Sequence, residues 1–198
     1  MRDVEGQFVD ENFGEIFNPD MIIEYGGGAS SKGILYIDPA FTIGENSDYT
    51  GIVKAYSDRS KIYIDDVFVG RVEVDEWLRQ LRNMYDDTIN KIGYDAWGIQ
   101  GTTNMREIRN YFRNNGIYVK ESQLQPSRLN VDNFTDTMLR LFFNKSIFFS
   151  KKVRENKLFM EQLFNFTSKK KNQYDDGVDA FFNAVYLLIE LNYFRNEL

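Results

Sequence analysis

An α/β fold with a mixed central sheet and helices on both faces is the architecture this sequence predicts, and three observations carry it. Segments at about 33–38, 50–56 and 61–69 are rich in β-branched and aromatic residues and are joined by short turns, the pattern of a three-strand antiparallel meander. From residue 74 onward, helix-period and strand-like segments alternate, which implies parallel strands linked by helical crossovers. The last long apolar run, Asp175–Tyr193, has the spacing of a helix lying on a sheet.

Residues 1–32 lack a clean period and read as an N-terminal linker or edge segment, with a single domain over 33–198. Within that segment Phe13–Phe17 and Met21–Tyr25 are apolar patches that either add an edge strand or lie on the surface. Gly26–Gly33 is Gly/Ser-rich and reads as a flexible connection. It is not a phosphate loop, because Ser31 and Gly33 stand where Gly and Ser/Thr are required and the segment precedes a strand. The first two strands are joined by the Gly44–Asp48 loop, the second and third by Ser57–Ser60.

Val74–Tyr85 is a helix with Trp77, Leu78, Leu81 and Tyr85 on one face, and Trp77 belongs to the core. Thr88–Asp95 is a short strand, Thr103–Asn114 a helix stopped by Gly116, and Ile117–Val119 the start of a parallel strand. Residues 131–144 form an amphipathic helix with Phe134, Met138, Leu141 and Phe142 inward, and Ser146–Phe149 is a short strand or turn. Leu158–Phe166 is apolar and aromatic, Thr167–Gln173 is a basic, polar loop, and the closing helix buries Phe181, Val185, Leu188 and Ile189.

The chain has 198 residues, enough for one sizeable core, and its 16% aromatic content with only 3 Pro argues against disorder. No run of about 18 apolar residues is present to span a membrane, and the acidic N-terminus is not a secretory signal. Cys and His are both absent, which removes Ser-His-Asp and Cys-His triads and ordinary zinc sites. Carboxylate, Lys, Tyr and Ser/Thr chemistry remains. With 30 acidic residues against 24 basic, a net charge of −6 argues against nucleic-acid binding by the whole surface, though not against a local basic track.

Several carboxylates stand at element ends. Asp38 leaves the apolar strand Ile34–Ile37 just before Pro39, Asp95 closes Ile92–Asp95, and Asp175, Asp176 and Asp179 open the last helix. A carboxylate at the rim of a buried strand is costly to desolvate unless a cation or donors offset it. Asp176 and Asp179 are three apart and Asp175 and Asp179 four apart, so they share a helix face where like charges repel. The helix dipole offsets this in part, and a bound divalent cation would offset it further. In this reading Asp38 bridges two ions, Asp95 holds one, and Asp176 or Asp179 the other, a set suited to phosphodiester hydrolysis. The same residues also suit turns and helix caps, so both readings stand at this point.

The motifs Ile37-Asp-Pro-Ala40, Ser47-Asp-Tyr-Thr50, Tyr94-Asp95 and Asp175-Asp-Gly-Val-Asp-Ala180 together resemble the nuclease domain of tailed-phage terminase large subunits. The resemblance runs in order from about residue 10 to 190, and Gly14–Pro19 is similar to the segment joining the packaging ATPase to that nuclease. It implies the ribonuclease H-like fold, shared with Holliday-junction resolvases. It also implies a metal-dependent endonuclease that cuts concatemeric double-stranded DNA with Mg²⁺ or Mn²⁺, two ions in the catalytic complex.

Carried over by position, Asp38, Asp95, Asp176 and Asp179 are the catalytic carboxylates, with Asp175 an alternative ligand and Asp48 an auxiliary one. Many relatives have His just before the paired aspartates, where Tyr174 stands here. The resemblance further implies an ATPase domain, a small terminase subunit and a portal as partners, in the cytoplasm of an infected host cell. Two basic clusters are candidate DNA contacts: Lys151, Lys152, Arg154 and Lys157, and Lys169, Lys170 and Lys171.

Two alternatives accompany this reading: a non-catalytic ribonuclease H-like module that binds DNA or a partner, and a resolvase-like nuclease. A further nuclease pattern, Asp…(Asp/Glu)-x-Lys, has only Glu155-Asn-Lys157 to offer.

Overall fold

The computed structural model describes residues 16–26, 32–40, 48–95, 106, 109–117, 120–124, 131–167 and 175–195, with the side chains of 95, 120–124 and 131–133 excepted. The strands are β1 (Ile23–Tyr25), β2 (Lys32–Asp38), β3 (Thr50–Ser57), β4 (Ile62–Gly70), β5 (Ile89–Asp95), β6 (Lys120–Leu124) and β7 (Ile147–Ser150). The helices with defined bounds are α1 (Val74–Met84), α2 (Val131–Phe143), α3 (Lys151–Arg154), α4 (Lys157–Asn165) and α5 (Asp176–Glu190). Residues 109–114 are also helical.

Among the described residues the strands form one seven-stranded sheet in the order β1-β7-β4-β3-β2-β5-β6. β3 pairs antiparallel with β2 and β4, and every other pair is parallel. The expected meander is therefore β2–β3–β4, and the parallel strands flank it. Only β3 runs against the rest. The C-terminal ends of β2, β5 and β4 consequently share one edge with the start of β3, and that edge is where the acidic motifs fall.

Period-2 alternation divides the core into two layers. Ile34 and Tyr36 of β2 join Val53 and Ala55 of β3 beneath α2, α4 and α5, in a layer crowded with Phe142, Phe149, Phe159, Phe181 and Phe182. Leu35, Ile37 and Ile52 face the other way, onto Trp77, Leu78, Leu81 and Met84 of α1 and onto Phe112. Helices thus cover both faces, because β2 and β3 are apolar on both. Trp77 is fully buried, and Phe134, Met138, Leu141 and Phe142 all point inward.

Several expectations shift at their margins. Met21–Tyr25 does supply an edge strand, since β1 pairs with β7. Phe17 is fully buried, its ring 4.9 Å from that of Phe142, so the core draws on residues ahead of position 32. Leu158–Phe166, apolar but unassigned by periodicity, is mostly helix α4, capped by the Asn156 side chain accepting from the Phe159 N–H. Ser146–Phe149, a strand or a turn by sequence, is strand β7. Gly116 ends the preceding helix at φ 70°, with the Ile117 N–H reaching back to the Phe112 carbonyl at 2.9 Å. The strand expected from Ile117 is described from Lys120 onward, parallel to β5. The Gly26–Gly33 connection, the Gly44–Asp48 loop and the start of the Thr103–Asn114 helix lie wholly or partly outside the described residues. No helix among the described residues is long and apolar enough to cross a membrane.

Candidate metal centre

Asp38 is the last residue of β2, and Pro39 behind it has no N–H with which to extend the ladder. Ala40 turns back, its N–H donating to Thr50 Oγ1 at 3.0 Å. On one side Asp38 is paired with Gly51 of β3. On the other, Ile37 is paired with Tyr94 of the parallel strand β5, so Asp38 and Asp95 each stand one residue beyond that pair, on adjacent strand ends. Paired neighbouring strands lie about 4.8 Å apart, which makes these two strand ends neighbours.

Helix α5 brings the third motif to the same place. It packs across β2 and β3 with its first turn over Gly51, where a Cβ would lie 2.4 Å from the carbonyl oxygen of Asp176. Only glycine permits that approach. The Tyr49 N–H donates to Asp176 Oδ2 at 2.9 Å, fixing the carboxylate toward the start of β3. The turn itself is held by Val178 and Asp179 N–H groups donating to the Asp175 carbonyl at 2.7 and 2.8 Å. Behind it, Gln162 of α4 accepts from the Gly177 N–H at 3.0 Å through Oε1. Sequence periodicity offered no signal for Gln162, a buried polar residue on an otherwise apolar helix face.

Carboxylates gather here at partly buried positions. Burial pushes the Asp176 carboxyl up to about 6 against the opposing hydrogen bond from Tyr49, with the Asp48 and Asp175 charges adding to the rise. Asp175 is raised as well, first by burial and then by Asp48. Asp48, suggested as an auxiliary ligand, is thus close enough to both to be felt. Asp179, one turn on, is exposed.

The structure therefore groups Asp48, Asp175 and Asp176 electrostatically and sets Asp38 and Asp95 beside them through backbone pairing. Among the described residues no three acidic side chains make a metal-holding group by themselves, and the Asp95 side chain is not among those described. The donor set is all oxygen, and its carboxylates are destabilised by burial and mutual repulsion. That is the chemistry a hard divalent cation satisfies.

The basic candidates are placed differently. Lys151, Lys152 and Arg154 follow β7 on α3 and are ion-paired with Glu155, Asp66 and Glu24 respectively. Glu155 and Asn156 form the joint between α3 and α4, so Glu155-Asn-Lys157 does not lie along one helix. Lys169, Lys170 and Lys171 fall outside the described residues, as does Tyr174. One basic residue that the sequence did not single out, Arg71, follows β4 and places its guanidinium carbon over the Tyr49 ring, 4.4 Å from the centroid.

No protein-family model matches the chain, and comparison with curated protein sequences gives no match either. Solved structures do match. The terminase nuclease domain of human cytomegalovirus superposes with a TM-score of 0.65 at 14% identity, over 87% of this chain and 92% of that one. The large terminase nuclease domain of P22 gives 0.63 at 13% identity, over 89% and 92%. The large terminase nuclease of the thermophilic phage G20c, with bound magnesium, gives 0.53 at 16% identity, over 87% and 97%. Identities this low speak to the fold: the chain has the ribonuclease H-like fold of the terminase nuclease domains.

Proposed function

We propose that this chain is a metal-dependent endonuclease that hydrolyses phosphodiester bonds of double-stranded DNA, as the nuclease domain of a genome-packaging terminase. The observation that carries the proposal is the meeting of three remote chain segments at one sheet edge. Asp38 is paired with Gly51, Gly51 lies against the Asp176 carbonyl, and Asp95 ends the next strand. The comparison with the G20c nuclease, described with bound magnesium, supports a divalent cation here.

Asp38, Asp95 and Asp176 would hold the ions, with Asp175, Asp179 and Asp48 completing or tuning the set. Mg²⁺ or Mn²⁺, as a pair, would supply Lewis-acid activation of the attacking water and stabilisation of the leaving oxygen. The protein's part is positional. The strand ends give Asp38 and Asp95 a fixed spacing, and Tyr49 aims one oxygen of Asp176. Partial burial of Asp175 and Asp176 weakens the screening of their charges by water. An ATPase domain, a small terminase subunit and a portal are the partners that this role entails, and sequence preference would come from them.

A supercoiled-plasmid assay tests the proposal. The protein should nick with Mn²⁺ or Mg²⁺ and stop on chelation, and Asp38→Asn should abolish nicking while leaving the fold intact. Retardation of plasmid without nicking, indifferent to metal and to Asp38→Asn, would sink it in favour of a binding module. A strong preference for branched DNA would point to a resolvase.

A further inference from the structure

We propose that Arg71 is a contact to the DNA backbone, gripping a phosphate beside the acidic centre; this deepens the nuclease reading and rests on it.

The sheet register places Arg71. Thr50 pairs with Gly70 across β3 and β4, so Tyr49 and Arg71 are the next residues outward on the two strands. Val69, two residues earlier, packs against the first turn of α5, where a Cβ on Gly177 would lie 2.6 Å from its Cγ2. Arg71 thus leaves β4 beside the turn that carries Asp175 and Asp176. Its guanidinium carbon sits 4.4 Å from the Tyr49 ring centroid, and the Tyr49 N–H donates to Asp176 Oδ2 at 2.9 Å. One residue therefore aims a carboxylate with its backbone and carries a guanidinium on its ring.

The chemistry follows from what must approach. A phosphodiester backbone meets Asp48, Asp175 and Asp176, whose charges already oppose one another, and needs a cation at the rim to come near. A guanidinium set over an aromatic ring is restrained by it, and a guanidinium's fork of N–H donors can match two phosphate oxygens at once. A lysine there would bring the charge without the aim.

Duplex DNA binding read by fluorescence anisotropy across a salt series, with Ca²⁺ replacing Mg²⁺ to hold back cutting, tests this. Arg71→Gln should weaken binding about tenfold, as loss of one charge-assisted contact does. It should also flatten the plot of log affinity against log salt by about one unit, equally for unrelated sequences. Arg71→Lys should restore the slope but not the full affinity. Mn²⁺ binding without DNA, titrated calorimetrically, should stay at the wild-type value in both variants.

A wild-type salt slope in Arg71→Gln overturns the proposal, as does a joint loss of Mn²⁺ affinity and thermal stability, which would mark Arg71 as packing for Tyr49. If the wild-type protein nicks plasmid and Arg71→Gln keeps its slope, only the phosphate contact fails. If the wild type neither binds nor cuts DNA with metal, the nuclease reading fails with it.

Discussion

The Tyr49 N–H and the Asp176 carboxylate, 127 positions apart in the chain, are joined by a 2.9 Å hydrogen bond between the start of β3 and the start of α5. That bond holds a carboxyl whose charge the surroundings disfavour. Burial first, then Asp48 and Asp175, raise it to about 6. Asp176→Asn keeps an acceptor for the Tyr49 N–H and removes the charge. The metal-free variant should gain about 1 kcal/mol after allowance for solvent at a half-buried site, or a few degrees in melting midpoint. Metal-dependent nicking should fall about a hundredfold or more. Calorimetry in chelator, paired with the plasmid assay, reads both, and a variant that loses stability together with activity would contradict the argument.

Gly51→Ala tests the approach of α5 to the sheet. Its new Cβ would meet the Asp176 carbonyl oxygen at 2.4 Å and the Ala180 Cβ at 2.9 Å, one a backbone atom and neither the far end of a flexible side chain. The helix start must move. Overpacking of this kind costs about 1–3 kcal/mol. Because the shifted turn carries Asp175 and Asp176, Mn²⁺ affinity should fall too. Gly116→Ala provides the contrast: its φ of 70° makes the substitution costly, but the site lies at a helix end remote in sequence from the acidic motifs, and Mn²⁺ affinity should hold. Isothermal titration on the two variants separates the effects.

What was legible in the sequence follows from period and punctuation. β2, β3 and β4 announced themselves by apolar runs between turn residues, and Asp38 by its place before Pro39. The convergence itself was not legible. It depends on Gly51 admitting the α5 backbone and on the Ile37–Tyr94 register, both properties of paired strands rather than of any one segment. Gln162 was invisible for a similar reason: on α4 it looks like a polar residue facing solvent, and only the packing of α4 against α5 turns its amide toward Gly177. Arg71 carried no motif, and its partner Tyr49 is adjacent only through the β3–β4 ladder.

On the α1 face, Lys54 is a polar intrusion into β3. Its side chain is 11% exposed and its Nζ lies 2.7 Å from Asp86 Oδ2 and 3.4 Å from Asp65 Oδ2. Burial would raise the Asp86 carboxyl, but hydrogen bonds from Lys54 and Thr88 hold it down at about 2, against an ordinary 3.8. A depressed carboxyl contributes stability above its unfolded value and loses it as pH falls toward the folded one. The contribution should therefore disappear between pH 3.8 and about 2. Asp86→Asn should flatten the acid limb of the stability curve in that window. Lys54→Met should cost about 1–2 kcal/mol near neutral pH, less than a wholly buried pair because Asp86 is half exposed. Urea unfolding across a pH series checks both.

The two lysine clusters should contribute unequally to DNA binding. Lys152 contacts Asp66, and Lys151 lies 3.7 Å from Glu155, so a phosphate arriving at either must compete with a carboxylate already in place. Fewer counterions are then released than two lysines would give in isolation. Replacing Lys151 and Lys152 together by Ala should flatten the salt dependence by less than about one unit. Lys169, Lys170 and Lys171 stand shortly before the third acidic motif in sequence, separated from it by Asn172, Gln173 and Tyr174. If all three meet phosphate, their replacement by Ala should flatten the slope by about 2.7 units and weaken binding alike on unrelated sequences. Anisotropy titrations of the two variants, run side by side over the same salt range, make the comparison. A flattening of about 1.8 units for the Lys151 and Lys152 variant would show that Glu155 and Asp66 do not compete with DNA.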